Sequence, residues 1–157
     1  MNKLFKIFAL AAALSTAAIP ALAEETHQTV TQTNTLQFVS AGSKTFTGDV
    51  TMSNIYTPQA PSKSYAAIVT FAPGARTYWH VHDMGQTLIV TEGIGYTQEW
   101  GKEPVLLNTG DIVRCPPGVK HWHGAAPDSS MTHIALSETG GKVTWLEPVS
   151  EAEYPQK

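Results

Sequence analysis

The sequence predicts an all-β fold, a sandwich or barrel of short strands in a single domain. From Leu36 onward, short runs rich in Val, Ile, Thr and aromatic residues alternate with turn residues, the pattern of many short strands at close spacing. No stretch carries a convincing helical period, apart from a turn or two at Ser150 to Tyr154. There is no long internal repeat and no second domain, and the length suits one domain with a substantial core.

Taken in order, the chain begins with a segment that does not read as part of this fold. Lys3 and Lys6 precede an alanine-rich apolar run from Ile7 to Ile19, and Pro20-Ala21-Leu22-Ala23 ends in a small-x-small pattern. This is the layout of a secretory signal peptide, residues 1–23, cut after Ala23. Thirteen apolar residues are too few to span an ordinary bilayer. No cysteine follows the cut and no twin arginine precedes the run, so a soluble periplasmic or secreted protein is expected. Cleavage removes 23 of 157 residues and two of 10 basic side chains, leaving 134 residues with 8 bases against 13 acids, a formal charge of −5. That balance argues against nucleic-acid or anionic-membrane partners. Residues 24–35 are polar, rich in Thr and Gln and without period, and read as a flexible leader.

Candidate strands follow at 35–39, 49–56, 65–72, 76–82, 86–92, 94–100, 104–108, 111–115, 120–125, 131–138 and 143–147. Turn residues separate them: Ala41-Gly42-Ser43, Pro58 to Pro61, Pro73-Gly74, Glu92-Gly93, Thr109-Gly110, Pro116-Pro117-Gly118 and Gly140-Gly141. Cys115, the sole cysteine, excludes an intrachain disulfide and reads as a small buried apolar residue.

The chemistry gathers on two stretches. In Gly74-Ala-Arg-Thr-Tyr-Trp-His80-Val-His82-Asp-Met-Gly-Gln86, the histidines stand at i and i+2, so on a strand both project from one face. A tight connection at Asp83-Met84-Gly85 folds the next strand back and brings Gln86 towards them. Two imidazoles and an amide oxygen converging on one point can hold a metal ion. The second stretch, Gly110 to His123, reads as strand, Pro-Pro-Gly turn and strand, and carries a second pair, His121 and His123, again on one face. Arg76 and Lys120 read as solvated rim charges, and Trp79 and Trp122 as packing against the opposite sheet or a partner subunit.

Together these stretches resemble the paired motifs of the cupin superfamily. The first motif (Gly, five residues, His-x-His, three or four residues, Glu, six residues, Gly) is matched at Gly74, His80, His82, Gln86 and Gly93, with Gln86 replacing the glutamate. The second (Gly, five residues, Pro-x-Gly, two residues, His, three residues, Asn) is matched at Gly110, Pro116, Gly118 and His121, with Ala125 where the asparagine would stand. The resemblance implies a cupin barrel over residues 36–154, a jelly-roll-like double-stranded β-helix, often dimeric or higher in order. It implies one divalent metal on His80, His82, Gln86 and His121.

Phe71 to His80, Gly85 to Thr91, Lys120 to Pro127, Met131-Thr-His133 and Trp145-Leu-Glu147 resemble the small bacterial cupins that include manganese-dependent hydroxynitrile lyases. From that likeness come His123 and His133 as acid–base groups, Mn(II) as the favoured metal, and a small-molecule cyanohydrin as substrate. The residues alone accept iron or another transition metal equally well. An iron-dependent dioxygenase and a metal-dependent binding protein without turnover are the alternatives. A glutamine ligand leaves the site at a formal +2, which favours Lewis-acid chemistry over oxidation of ferrous iron.

Overall fold

The computed structural model describes residues 27–156; the expected signal peptide at 1–23 lies outside them. Thr31–Lys157 make up one compact unit. Residues 27–38 form no strand, are almost all exposed, and contain a single 3-10 turn at Thr33–Thr35.

Twelve strands follow: β1 Val39–Ser40, β2 Phe46–Thr47, β3 Val50–Tyr56, β4 Ser64–Phe71, β5 Arg76–Thr77, β6 His80–His82, β7 Gln86–Glu99, β8 Val105–Asn108, β9 Ile112–Cys115, β10 Lys120–Ala125, β11 Met131–Glu138 and β12 Val143–Trp145. All pairings are antiparallel. One sheet runs β1-β3-β4-β11-β7-β9; the other runs β8-β7-β10, with β5 and β6 both on the far side of β10, β2 beyond β5 and β12 beyond β6. The sequence therefore places most strands within one or two residues, and the class is all-β as expected.

β7 is where the two sheets become one barrel. Its first half pairs with β9 and β11, its second half with β8 and β10. Glu92-Gly93 reads in the sequence as a turn between two strands, yet the chain continues as one strand and bends there. Gly93 has φ +77, and a side chain at this position would collide with the Ser130 carbonyl. A bend this tight against a neighbouring backbone needs a residue without Cβ. The expected single strand 76–82 is instead split at Tyr78 and Trp79, whose N–H groups donate to Thr45 and Glu147 carbonyls outside the ladder.

Strand alternation fills the interior. Ala67, Val69 and Phe71 of β4 point inward with Val50, Val90, Leu107, Ala125 and Met131 to form the main core. A second cluster lies on the outer face of the smaller sheet, where Trp79 and Trp122 are covered by Val149 and Tyr154 of the C-terminal segment. The tryptophans thus pack under this chain's own C-terminus and not against the opposite sheet or a partner. Arg76 is not a solvated rim charge either. It is 4% exposed, donates to the Gly74 and Val149 carbonyls at 3.1 and 3.2 Å, pairs with Glu151 at 2.6 Å, and stacks 4.2 Å from the Tyr154 ring centroid. Lys120 pairs with Glu147 and sits 3.1 Å from the Trp100 ring centroid.

Candidate metal centre

Three histidines meet inside the barrel. His80 and His82 come from β6, and His121 from β10, which pairs with β6 so that His121 stands opposite His80. One ligating atom from each lies within 4.8 Å of the others, and all three side chains are buried. Second partners fix two of the rings: the Nδ1–H groups of His80 and His121 donate to the Tyr78 and Val119 carbonyls at 2.9 and 3.0 Å. That tautomer leaves each Nε2 with a free lone pair, the form a metal requires. Trp145 of β12 packs on His80 at 4.7 Å between ring centroids.

Burial and mutual repulsion keep these imidazoles neutral. Desolvation first, then the neighbouring His121, lowers His80 from 6.5 to about 3. The same two causes lower His82 to about 4, and burial lowers His121 as well. Neutral imidazoles crowded in a dry site are costly unless something occupies their lone pairs. Two buried atoms here have no hydrogen-bond partner, His121 Nε2 and Gln86 Oε1. Both are lone-pair donors, so the residues present fit a metal ion, and the three histidines can hold one.

Gln86 reaches this site by a different route from the one its spacing implies. β6 and β7 do not pair, so Asp83-Met84-Gly85 makes no hairpin. The connection crosses from one sheet to the other, pinned by Asp83 Oδ1 accepting from the Lys142 N–H at 2.7 Å. Gln86 then lines the cavity from the facing sheet. His123 of β10 and His133 of β11 line the same cavity from the two sheets, and a hydrogen bond of 3.1 Å joins His133 Nε2 and His123 Nδ1. Alternation left the facing of His133 open; the structure turns it inward and buries it completely. Burial lowers His133 to about 4 and, with His133 beside it, lowers His123 well below its ordinary value.

The cavity measures about 130 Å³. Its remaining wall is largely apolar, built by Phe46, Met52, Ala67, Val69, Ala135 and Trp145. None of these was singled out as a site residue from the sequence. Their only sequence signal is the inward phase of alternation on strands far apart in the chain. Cys115, buried and free, has its thiol pushed up to about 11 chiefly by burial, which makes it inert as a nucleophile.

Comparison with known proteins agrees with this architecture. The family model described as "Cupin domain" matches residues 67–136. An (R)-mandelonitrile lyase of Granulicella tundricola is 47% identical over 111 residues, covering 69% of this chain and 85% of that one. A cupin-like protein of Thermotoga maritima superposes with a TM-score of 0.70 at 45% identity, covering 73% and 89% of the two chains. The polyketide cyclase RemF of Streptomyces resistomycificus shares the fold alone, with a TM-score of 0.64 at 16% identity over 82% and 91%. With two sheets joined through β7, three histidines on the paired strands β6 and β10 and relatives at this level of identity, the chain belongs to the cupin superfamily.

Proposed function

We propose that the protein is a metal-dependent lyase that cleaves an aromatic cyanohydrin to a carbonyl compound and hydrogen cyanide. The observation that carries this reading is the buried His123–His133 pair on the wall of the cavity that His80, His82 and Gln86 also line. The likeness to a relative named (R)-mandelonitrile lyase supports the substrate class.

A divalent transition ion on His80, His82, His121 and Gln86, with Mn(II) favoured, would supply Lewis acidity undiminished by any anionic ligand. The apolar wall of Phe46, Met52, Val69 and Trp145 takes the aryl group and excludes water from the reacting carbon. In the tautomer that places the proton of His123 on Nδ1, bonded to His133 Nε2, the Nε2 of His123 is free to accept the substrate hydroxyl proton. The hydroxyl O–H electrons become the carbonyl π bond, and the carbon–carbon bond breaks with its pair leaving on cyanide. The proton held by the histidine pair returns to cyanide and restores the resting tautomer. His133 orients the ring and shares the positive charge that His123 acquires.

Manganese-loaded protein is expected to release cyanide and benzaldehyde from mandelonitrile at mildly acid pH. His123→Ala and His133→Ala should each retain metal and lose between about a hundredfold and ten-thousandfold in rate, as for loss of a general base. Release no faster than free manganese by wild type and both variants overturns the reading; oxygen uptake by the iron-loaded protein would then support the dioxygenase alternative.

A further inference from the structure

The barrel has a second opening, bounded by strands that contribute nothing to the first cavity. β9 ends one sheet and β8 ends the other, and the two do not pair with each other. Between them lies a cavity of about 200 Å³, walled by Thr97 and Glu99 of β7, Val105 of β8, Val113 of β9, Val119 and His121. That is room for several waters. Of the three-histidine centre, His121 lines this cavity, whereas His80 and His82 line the smaller, largely apolar one. The centre is thus touched by both cavities.

The second cavity carries what the first lacks, carboxylates. Glu99 stands directly opposite His121 on the paired strands β7 and β10, so the two side chains share a face with Cβ atoms about 5 Å apart. Burial and then the charge of Glu99 push the Cys115 thiol of β9 up to about 11, so the field of this carboxylate reaches across the cavity. The Glu99 side chain is 45% exposed, and its 2.9 Å ion pair with Lys102, itself 66% exposed, holds it weakly. Glu103 lies on the exposed rim with Lys102 and Arg114. At the inner end, His121 is 2% exposed and its Nε2 has no hydrogen-bond partner among the described residues. A carboxylate that reaches solvent and a buried free lone pair are therefore neighbours on one wall.

We propose that this second cavity is the passage by which the divalent metal ion enters and leaves its centre, and that Glu99 is the ligand that hands it to His121 Nε2. Divalent ions arrive hydrated and shed water only as other donors replace it. Glu99 takes the ion at the mouth of the cavity while most of its waters remain. His121 Nε2, on the adjacent strand, then displaces one water, His80 and His82 displace others, and Glu99 returns to Lys102. The first cavity has no anionic group to draw a cation in, and its largely apolar wall gives a hydrated ion nothing in exchange for its waters. Metal exchange therefore does not have to wait for that cavity to empty. The inference rests on the three-histidine centre and not on cyanohydrin cleavage.

The rates of Mn(II) uptake by the chelator-stripped full chain, and of Mn(II) loss from the loaded chain to excess EDTA, test it; the paramagnetic resonance signal of free Mn(II) follows both. Glu99→Gln should slow uptake and loss alike by about tenfold, with the dissociation constant unchanged, because a passage alters rates and not the equilibrium. Val105 is exposed at the mouth, and Val105→Trp should narrow it and slow both steps in the same way. Unchanged rates in Val105→Trp overturn the passage. Unchanged rates in Glu99→Gln overturn the hand-over, and so does weaker binding with faster loss, since Glu99 would then be supporting the bound ion electrostatically. A wild-type chain that binds no Mn(II) overturns the metal centre and the passage with it. Slowed exchange in both variants of a chain that cleaves no cyanohydrin supports the passage and overturns the lyase reading alone.

Discussion

In the proposed ligand set, Gln86 brings no negative charge to the metal, and its Oε1, which has no hydrogen-bond partner among the described residues, would be a weaker ligand than a carboxylate. Gln86→Glu is accordingly expected to hold the metal longer, read as a slower loss to chelator, while turning over cyanohydrin more slowly because Lewis acidity falls. Faster turnover in that variant would contradict the charge argument. The histidines themselves set a pH limit on the metal-free protein. Their folded values lie below the unfolded 6.5, about 3 for His80 and about 4 for His82 and His133. The unfolded chain therefore binds more protons below pH 6.5, so stability is fully present above that pH and is lost as pH falls towards 4. Thermal melts of metal-free protein should show a midpoint that is flat above about pH 7 and falls by several degrees or more by about pH 4.5. At this scale the sequence was informative because i, i+2 spacing puts His80 with His82, and His121 with His123, on one face whatever the strand's surroundings. It could not orient His133, whose two neighbouring faces both mix polar and apolar residues, nor reveal the apolar wall, which assembles from strands distant in the chain.

Elements carry the next level of cause, and the C-terminal segment shows it best. Arg76 fastens that segment to the barrel through the Val149 carbonyl, Glu151 and the face of Tyr154, while Tyr154 donates to the Ala125 carbonyl at 2.6 Å. Glu151 is 80% exposed, so its ion pair with Arg76 is worth little, whereas the guanidinium is buried with its carbonyl acceptors. Arg76→Ala should cost about 3 kcal/mol in chemical denaturation, since it strands buried carbonyls and uncovers Trp79 and Trp122. Glu151→Ala should cost less than about 1 kcal/mol. Equal losses would mean that the ion pair, not the packing, anchors the segment. In the sequence Arg76 looks like a rim residue, because a charged residue on a short strand is exposed unless a distant tail covers it, as Val149 to Tyr154 does here. Gly93 is ambiguous for a related reason: a glycine after a polar residue marks a hairpin and a sharp strand bend alike, and only the approach of Ser130 decides between them.

For the molecule as a whole, long-range pairing dominates: β4 lies between β3 and the distant β11, and β11 lies against β7. Such a topology closes large loops before it gains contacts and is expected to fold slowly. β7, described above as the strand common to both sheets, adds a consequence for how the protein comes apart. Because Leu88 belongs to one sheet and Tyr96 to the other on a single unbroken strand, neither sheet keeps its ladder if the other opens. Native-state hydrogen exchange should therefore report one opening free energy for both amides, with the same dependence on denaturant, in place of two separable subdomains. If the amide of Tyr96 exchanged through a lower-energy opening than that of Leu88, the bend at Gly93 would be acting as a seam. Shared exchange would instead mean that thermal fluctuations cannot expose the histidine-lined interior piecemeal, and that bound metal is released by whole-domain unfolding or by ligand exchange through the cavity mouth.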